Sequence, residues 1–139
     1  MDRIVSESGI VYEGEFPEGK LTGKGKMILA NGFVFEGDIV DGKLTGQGKM
    51  TSQFGITCEG EFVENRMNGK GKVSWFDGMY FEGYYVDDVL QGKGKGVMAD
   101  GTIYEGEFVN GEMTGWGVMK WPDGRIYEGE FVNGEPKNK

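Results

Sequence analysis

Six glutamates, Glu13, Glu36, Glu59, Glu82, Glu105 and Glu128, recur 23 residues apart, each followed by glycine. Carboxylates in series invite a general acid/base reading. Nine residues after each of the first five of those glycines begins a Gly-x-Gly, at Gly23/Gly25, Gly46/Gly48, Gly69/Gly71, Gly92/Gly94 and Gly115/Gly117, which invites a phosphate-loop reading. Each chemistry needs a setting that the sequence withholds. Glutamates two strands apart stand roughly 10 Å from one another, wider than the pair of a retaining glycosidase and near the upper limit for an inverting one. A phosphate loop must follow a strand and open a helix, and no helical pattern follows any copy. The chain has no histidine, so neither a Ser/His nor a Cys/His pair is available, and Cys58 has no evident activating base. No segment supplies the converging oxygens that Ca²⁺ requires. No catalytic residue, metal site or cofactor is expected, and the chain reads as a non-enzyme.

What the spacing does announce is architecture. Self-similarity at a period of 20 to 50 residues marks a stacked repeat array. The units start near Tyr12, Phe35, Cys58, Phe81, Tyr104 and Tyr127 without insertion, and they read as one domain over residues 1–139. Each unit reads as two strands. Ile103-Tyr104-Glu105-Gly106-Glu107-Phe108-Val109 alternates large and acidic residues with period 2. A turn at Asn110-Gly111 leads to the second strand, Gly115 to Trp121, which closes on Pro122-Asp123-Gly124. The latter suits a type I turn ending in a left-handed glycine bulge.

A three-residue loop there sets Met119 against Tyr127, Gly117 against Gly129 and Gly115 against Phe131. Rings and glycines then share one face, so rings can lie across bare backbone. Tyr12, Phe16, Phe35, Ile39, Phe62, Phe81, Tyr85, Tyr104, Phe108, Tyr127 and Phe131 form this face, with Trp75 and Trp121 at its rim and Cys58 as a small buried hydrophobe. The other face carries Lys24 against Asp38, Lys26 against Glu36, Lys49 against Glu59, Lys72 against Glu82 and Lys95 against Glu105, expected as cross-strand ion pairs worth roughly 0.2–1 kcal/mol each. The fold expected is all-β: an elongated single-layer twisted antiparallel sheet of stacked β-hairpins, about twelve strands by the two-per-unit pattern. Its last full strand, Ile126 to Val132, is an open edge unless something pairs with it, and a homodimer through that edge is one expectation.

The charge of −8 and a pI near 4.6 disfavour nucleic acid and lower the expectation of an anionic membrane. One cysteine allows no internal disulfide. The opening residues lack the apolar stretch of a secretory signal, and no apolar run approaches a membrane span. A cytoplasmic protein is expected, with cytoskeletal or membrane attachment left open.

Tyr104-Glu105-Gly106-Glu107-Phe108-Val109-Asn110-Gly111, followed by Gly-x-Gly and Asp-Gly, resembles the MORN (membrane occupation and recognition nexus) repeat, and residues 10 to 134 keep the resemblance in phase. The family often has histidine just before the Gly-x-Gly, where this chain has Thr22, Thr45, Asn68, Gln91 and Thr114. Phe81 to Gly92 is also similar to the N-terminal repeat segment of a SET-domain histone lysine methyltransferase, a likeness that implies fold and not methyl transfer.

The repeat is most informative where it breaks its own rule. Trp116 and Val118 replace lysines, and Ile126 lies nearby on the same face. Such an apolar patch on a charged surface resembles a contact site. Tyr84 replaces an acid and extends it. Trp75 and Trp121 are a second candidate, lining an aromatic groove for an extended segment or helix. Three functions follow: a scaffold for a protein partner at these residues; peripheral association with anionic phospholipid through Lys24, Lys26, Lys70, Lys72, Lys93 and Lys95, which the family resemblance implies; and the targeting segment of a methyltransferase.

Overall fold

The structure is a computed structural model that describes residues 1–138; Lys139, the last residue of the expected domain, lies outside them. The first six strands are β1 (Asp2–Val5), β2 (Val11–Glu15), β3 (Gly23–Ile28), β4 (Val34–Val40), β5 (Lys43–Thr51) and β6 (Thr57–Val63). β7 (Arg66–Ser74), β8 (Tyr80–Val86), β9 (Val89–Val97), β10 (Ile103–Val109), β11 (Glu112–Lys120), β12 (Ile126–Val132) and β13 (Glu135–Pro136) follow. All lie in one antiparallel sheet whose spatial order is the sequence order. The expected single-layer hairpin array is the fold, and the strand beyond the expected twelve is the two-residue β13.

The expected register holds. Gly115 faces Phe131, Gly117 faces Gly129 and Met119 faces Tyr127. The turn that fixes it is the bulged one: Gly124 has φ 95°, its N–H donates to the Trp121 carbonyl at 3.0 Å, and the Trp121 N–H donates to the Arg125 carbonyl at 2.9 Å. In the same turn one repeat earlier, the Thr102 N–H donates to Asp100 Oδ1 at 2.8 Å and holds that carboxyl below its usual range. At the opposite rim both turn residues take positive φ, as in Asn110 (51°) and Gly111 (83°), or Asp87 (46°) and Asp88 (72°). Two positive values match the right-handed twist of a two-residue hairpin.

The core is the ring face. Tyr104 is fully buried, and Phe108 and Phe131 nearly so. The Tyr104 ring meets Phe131 edge-on at 4.8 Å and Phe108 at 5.3 Å, and its hydroxyl donates to the Glu107 carbonyl at 2.7 Å. A Cβ on Gly117 would stand 2.5 Å from the Tyr104 ring. Glycine is therefore space for the neighbouring ring, as expected. Cys58 is half-buried rather than buried, packed against the core between Met50 and Val73 of the flanking strands; burial, and then the charge of Asp88, pushes its thiol up to about 11.

Two further expectations need correction, and one feature between them was not expected. The lysines and acids of the charged face stand opposite one another, but among the expected pairs only Lys24–Asp38 closes, at 4.0 Å. Both partners are in water, where a contact pair barely offsets the entropy of holding two long side chains. Lys72 instead lies over the Tyr80 ring at 4.1 Å. The unexpected feature is a register that slips within the hairpins after Gly37, Gly60, Gly83 and Gly106. Two of these bulges are filled by an acid: Glu61 Oε2 accepts the Lys70 N–H at 3.1 Å, and Glu107 Oε1 accepts the Trp116 N–H at 2.7 Å. Second, the C-terminal edge is not fully open. Pro136 and Glu135 pair with Phe131 and Val132, and the Lys137 N–H donates to the Glu130 carbonyl at 2.9 Å. The chain's own tail thus covers the end of β12 and shortens the edge offered to a second copy.

Candidate partner-binding face

Alternation with period 2 puts two residues of each strand's centre on the charged face, and pairing across strands arranges them in two rows. Along the first row the sign alternates strand by strand: Arg3, Glu13, Lys26, Glu36, Lys49, Glu59, Lys72, Glu82, Lys95 and Glu105 follow one another in direct register. Val118 comes next, between Glu105 and Glu128. The second row lies two residues along. Lys24 faces Glu15 and Asp38, Gln47 faces Glu61, Lys70 faces Tyr84, Lys93 faces Glu107, and Trp116 faces Glu130.

The face is a checkerboard in which β2, β4, β6, β10 and β12 each carry two acids, while β3, β7 and β9 each carry two lysines. Four squares break it: Gln47, Tyr84, Trp116 and Val118. Gln47 was not singled out from the sequence. It conserves size and polarity, and it draws no attention until the register is known.

The breaks fall on β5, β8 and β11, three strands apart, along two adjoining stretches of cleft. A stretch of about 1100 Å³ runs from Glu36 past Lys70, Lys72 and Tyr84 to Lys95 and Glu105. A stretch of about 540 Å³ continues it from Lys93 and Glu105 to Glu107, Trp116 and Val118. Tyr84 and Trp116 are each 55% exposed, well above what a packed ring retains. Tyr84 lines the first stretch and Trp116 and Val118 the second, and the two share Lys93, Gly94 and Glu105. It places the other candidates elsewhere. Ile126 pairs with Lys120 beyond Val118 and, with Trp121, lines a separate cleft of about 630 Å³ at the C-terminal edge, beside Arg125 and Pro136. The Arg125 guanidinium lies over the Trp121 ring at 5.2 Å. Trp75 stands apart, edge-on to Phe81 at 5.8 Å.

Among the described residues no group of three His, Cys, Asp or Glu side chains converges as a metal ion would need. The residues at the family's histidine position have a structural task. Thr22, Thr45, Asn68, Gln91 and Thr114 accept the N–H of Asp41, Glu64, Asp87, Asn110 and Asn133 at 2.9 to 3.1 Å, clasping each hairpin turn to the repeat before it. Sequence reasoning also passed over Phe54 and Phe76, exposed at 68% and 85% on adjacent turns. The available signal was Phe54 standing where the other turns carry Ser, Asn or Asp.

A sheet whose hairpins stack in sequence order, each repeat clasped to its neighbour, defines a repeat-array protein. The MORN repeat matches residues 12–34, 35–53, 58–80, 81–103, 104–124 and 127–137, and the chain belongs to the MORN-repeat family. That match does not extend to the methyltransferase likeness. No curated protein matches the sequence. Among solved structures, the chain is similar to the TCP domain of SAS-4 (dCPAP) of Drosophila melanogaster, solved in complex with a proline-rich motif of Ana2 (dSTIL). Identity there is 17%, over 93% of this chain and 83% of that one, with a TM-score of 0.28.

Proposed function

We propose that the chain is a non-catalytic scaffold that holds an extended segment of a protein partner in the charged-face cleft, anchored at Trp116 and Val118. One observation carries this reading: β11 is apolar where β3, β7 and β9 carry lysine pairs. Trp116 faces Glu130, and Val118 stands between Glu105 and Glu128. An exposed ring that forgoes a favourable charge on each side fits a surface selected for contact, because aromatic anchors dominate binding energy. The surrounding acids suit a partner that presents an apolar residue flanked by lysine or arginine.

Affinity capture with the intact chain tests it, using Trp116→Ala and Val118→Lys beside the wild type. Val118→Lys restores the charge pattern and leaves the fold intact. A protein retained by the wild type and lost from both variants supports the scaffold at this site. Equal retention by all three overturns it.

A further inference from the structure

We propose that the two edges of the sheet are complementary, and that a second copy of the chain adds its β1 beside β12, joining copies head to tail. Among the described residues β1 pairs only with β2, and residues 126–129 of β12 pair only with β11. Unpaired strand edges are templates for another strand. The 23-residue period says which strand fits. Glu135 and Pro136 pair with β12 as Glu112 and Met113 pair with β10, so the tail fills the first half of a strand site. Asp2–Val5 pair with β2 as residues 117–120 pair with β12, so β1 is the second half of such a strand. An incoming β1 therefore lies past the tail without meeting it. In the register that residues 117–120 keep with β10, it sets Asp2 opposite Gly129, Arg3 opposite Glu128, Ile4 opposite Tyr127 and Val5 opposite Ile126.

Each contact supplies what the two edges leave open. Along the first row Lys26, Lys49, Lys72 and Lys95 each stand between two acids, whereas Arg3 faces Glu13 alone, at 3.9 Å. Glu128 faces Val118 and no cation. Arg3 beside Glu128 carries the alternation across the junction. Val5 and Ile126, 55% and 63% exposed, cover one another. On the ring face Met27 lies between Tyr12 and Phe35, and Met119 between Tyr104 and Tyr127. Ile4 takes that place between its own Tyr12 and the Tyr127 of the neighbouring copy, in the cleft of about 630 Å³ lined by Tyr127, Ile126 and Pro136. Asp2 is the position that resists, because it stands where the other strands have glycine, and a Cβ on Gly117 would meet the Tyr104 ring. Tyr104 is fully enclosed, but Tyr127 is half-buried beside that open cleft, so its ring has room to turn aside.

The junction joins two different patches, so it is heterologous and leaves an edge of each kind exposed for a further copy. A two-fold dimer through β12 would instead bring two Glu128 carboxylates together and supply neither with a cation. Each added copy lengthens the array by six repeats, about 50–60 Å at two strands per repeat. Four residues of strand make a small contact, so the association is weak and depends on concentration.

The test is sedimentation velocity and small-angle X-ray scattering of the intact chain from about 10 μM to about 1 mM. Val5→Asp blocks the β1 edge, and Glu128→Lys sets a cation against Arg3 and blocks the β12 edge. Both side chains are exposed on the charged face, where the fold tolerates the change. The inference expects the mass and maximum dimension of the wild type to rise with concentration by whole copies. Each variant alone associates roughly tenfold or more weakly. An equimolar mixture of the two regains one intact junction, between the β12 of Val5→Asp and the β1 of Glu128→Lys, and forms a dimer that grows no further. A wild type that stays monomeric throughout, either variant associating as the wild type does, or a mixture that stays monomeric overturns the inference. Association lost in Glu128→Lys but kept in Val5→Asp would mark a two-fold dimer through β12 instead.

Discussion

On the ring face the glycines make room for large side chains, Leu44 at Gly48, Met67 at Gly71, Phe108 at Gly94 and Tyr104 at Gly117, and from Phe81 to Phe131 the rings also meet edge-on. On the charged face the same strands carry a checkerboard whose first row is unbroken from Arg3 to Glu105 and lapses at Val118, while the second row lapses at Gln47, Tyr84 and Trp116. The difference lies in what each face has to lose. A ring-face residue touches buried neighbours on both sides, so a change of volume is felt at once. Each square of the checkerboard sits in water, where one ion pair is worth little. Replacing it costs the fold almost nothing, and the charged face is therefore free to carry recognition.

The largest effect that would sharpen this contrast is Tyr104→Ala. Emptying a fully buried ring site should cost about 3–5 kcal/mol in chemical denaturation, in the range for large-to-small aromatic changes. A cost near zero would break the contrast. Gly117→Ala comes next: its Cβ would stand 2.5 Å from the Tyr104 ring, and overpacking of that kind costs about 1–3 kcal/mol. Alkaline pH probes the same layer. Burial, and then the charge of Glu107, pushes the Tyr104 phenol from 10.0 up to about 12. Its protonated form is favoured by folding, so its contribution to stability is intact below pH 10.0 and falls as pH rises toward about 12. Melting temperatures across that window should decline, and Tyr104→Phe should flatten the decline. Smallest of all, Val118→Lys on the charged face should shift stability by no more than about 0.5 kcal/mol, although it removes the proposed anchor.

Much of this was legible in the sequence, for particular reasons. The pairing of Gly117 with Gly129 and of Lys26 with Glu36 could be read because only the bulged turn satisfies both glycines and charges. Trp116 and Val118 stood out because their sister positions carry lysine. The bulges after Gly37, Gly60, Gly83 and Gly106 were hidden, since Glu61 and Glu107 look like further members of an acidic alternation until their oxygens are seen on backbone N–H groups. Clasping by Thr45 or Gln91 joins residues 19 apart through a turn amide, which period-2 reasoning does not reach. The tail strand Glu135–Pro136 stands one period after Glu112–Met113 and pairs with Phe131 and Val132 as those pair with Phe108 and Val109, but it lacks the Gly-x-Gly that marks this strand in the other units.

The most direct measurement is a peptide-display selection of random extended segments on the intact wild-type chain and on Trp116→Ala/Val118→Lys in parallel. If the breaks on β11 encode recognition, the wild type enriches sequences with an apolar residue beside lysine or arginine, and the double variant enriches none of them. Enrichment of the same sequences on both chains would contradict the account.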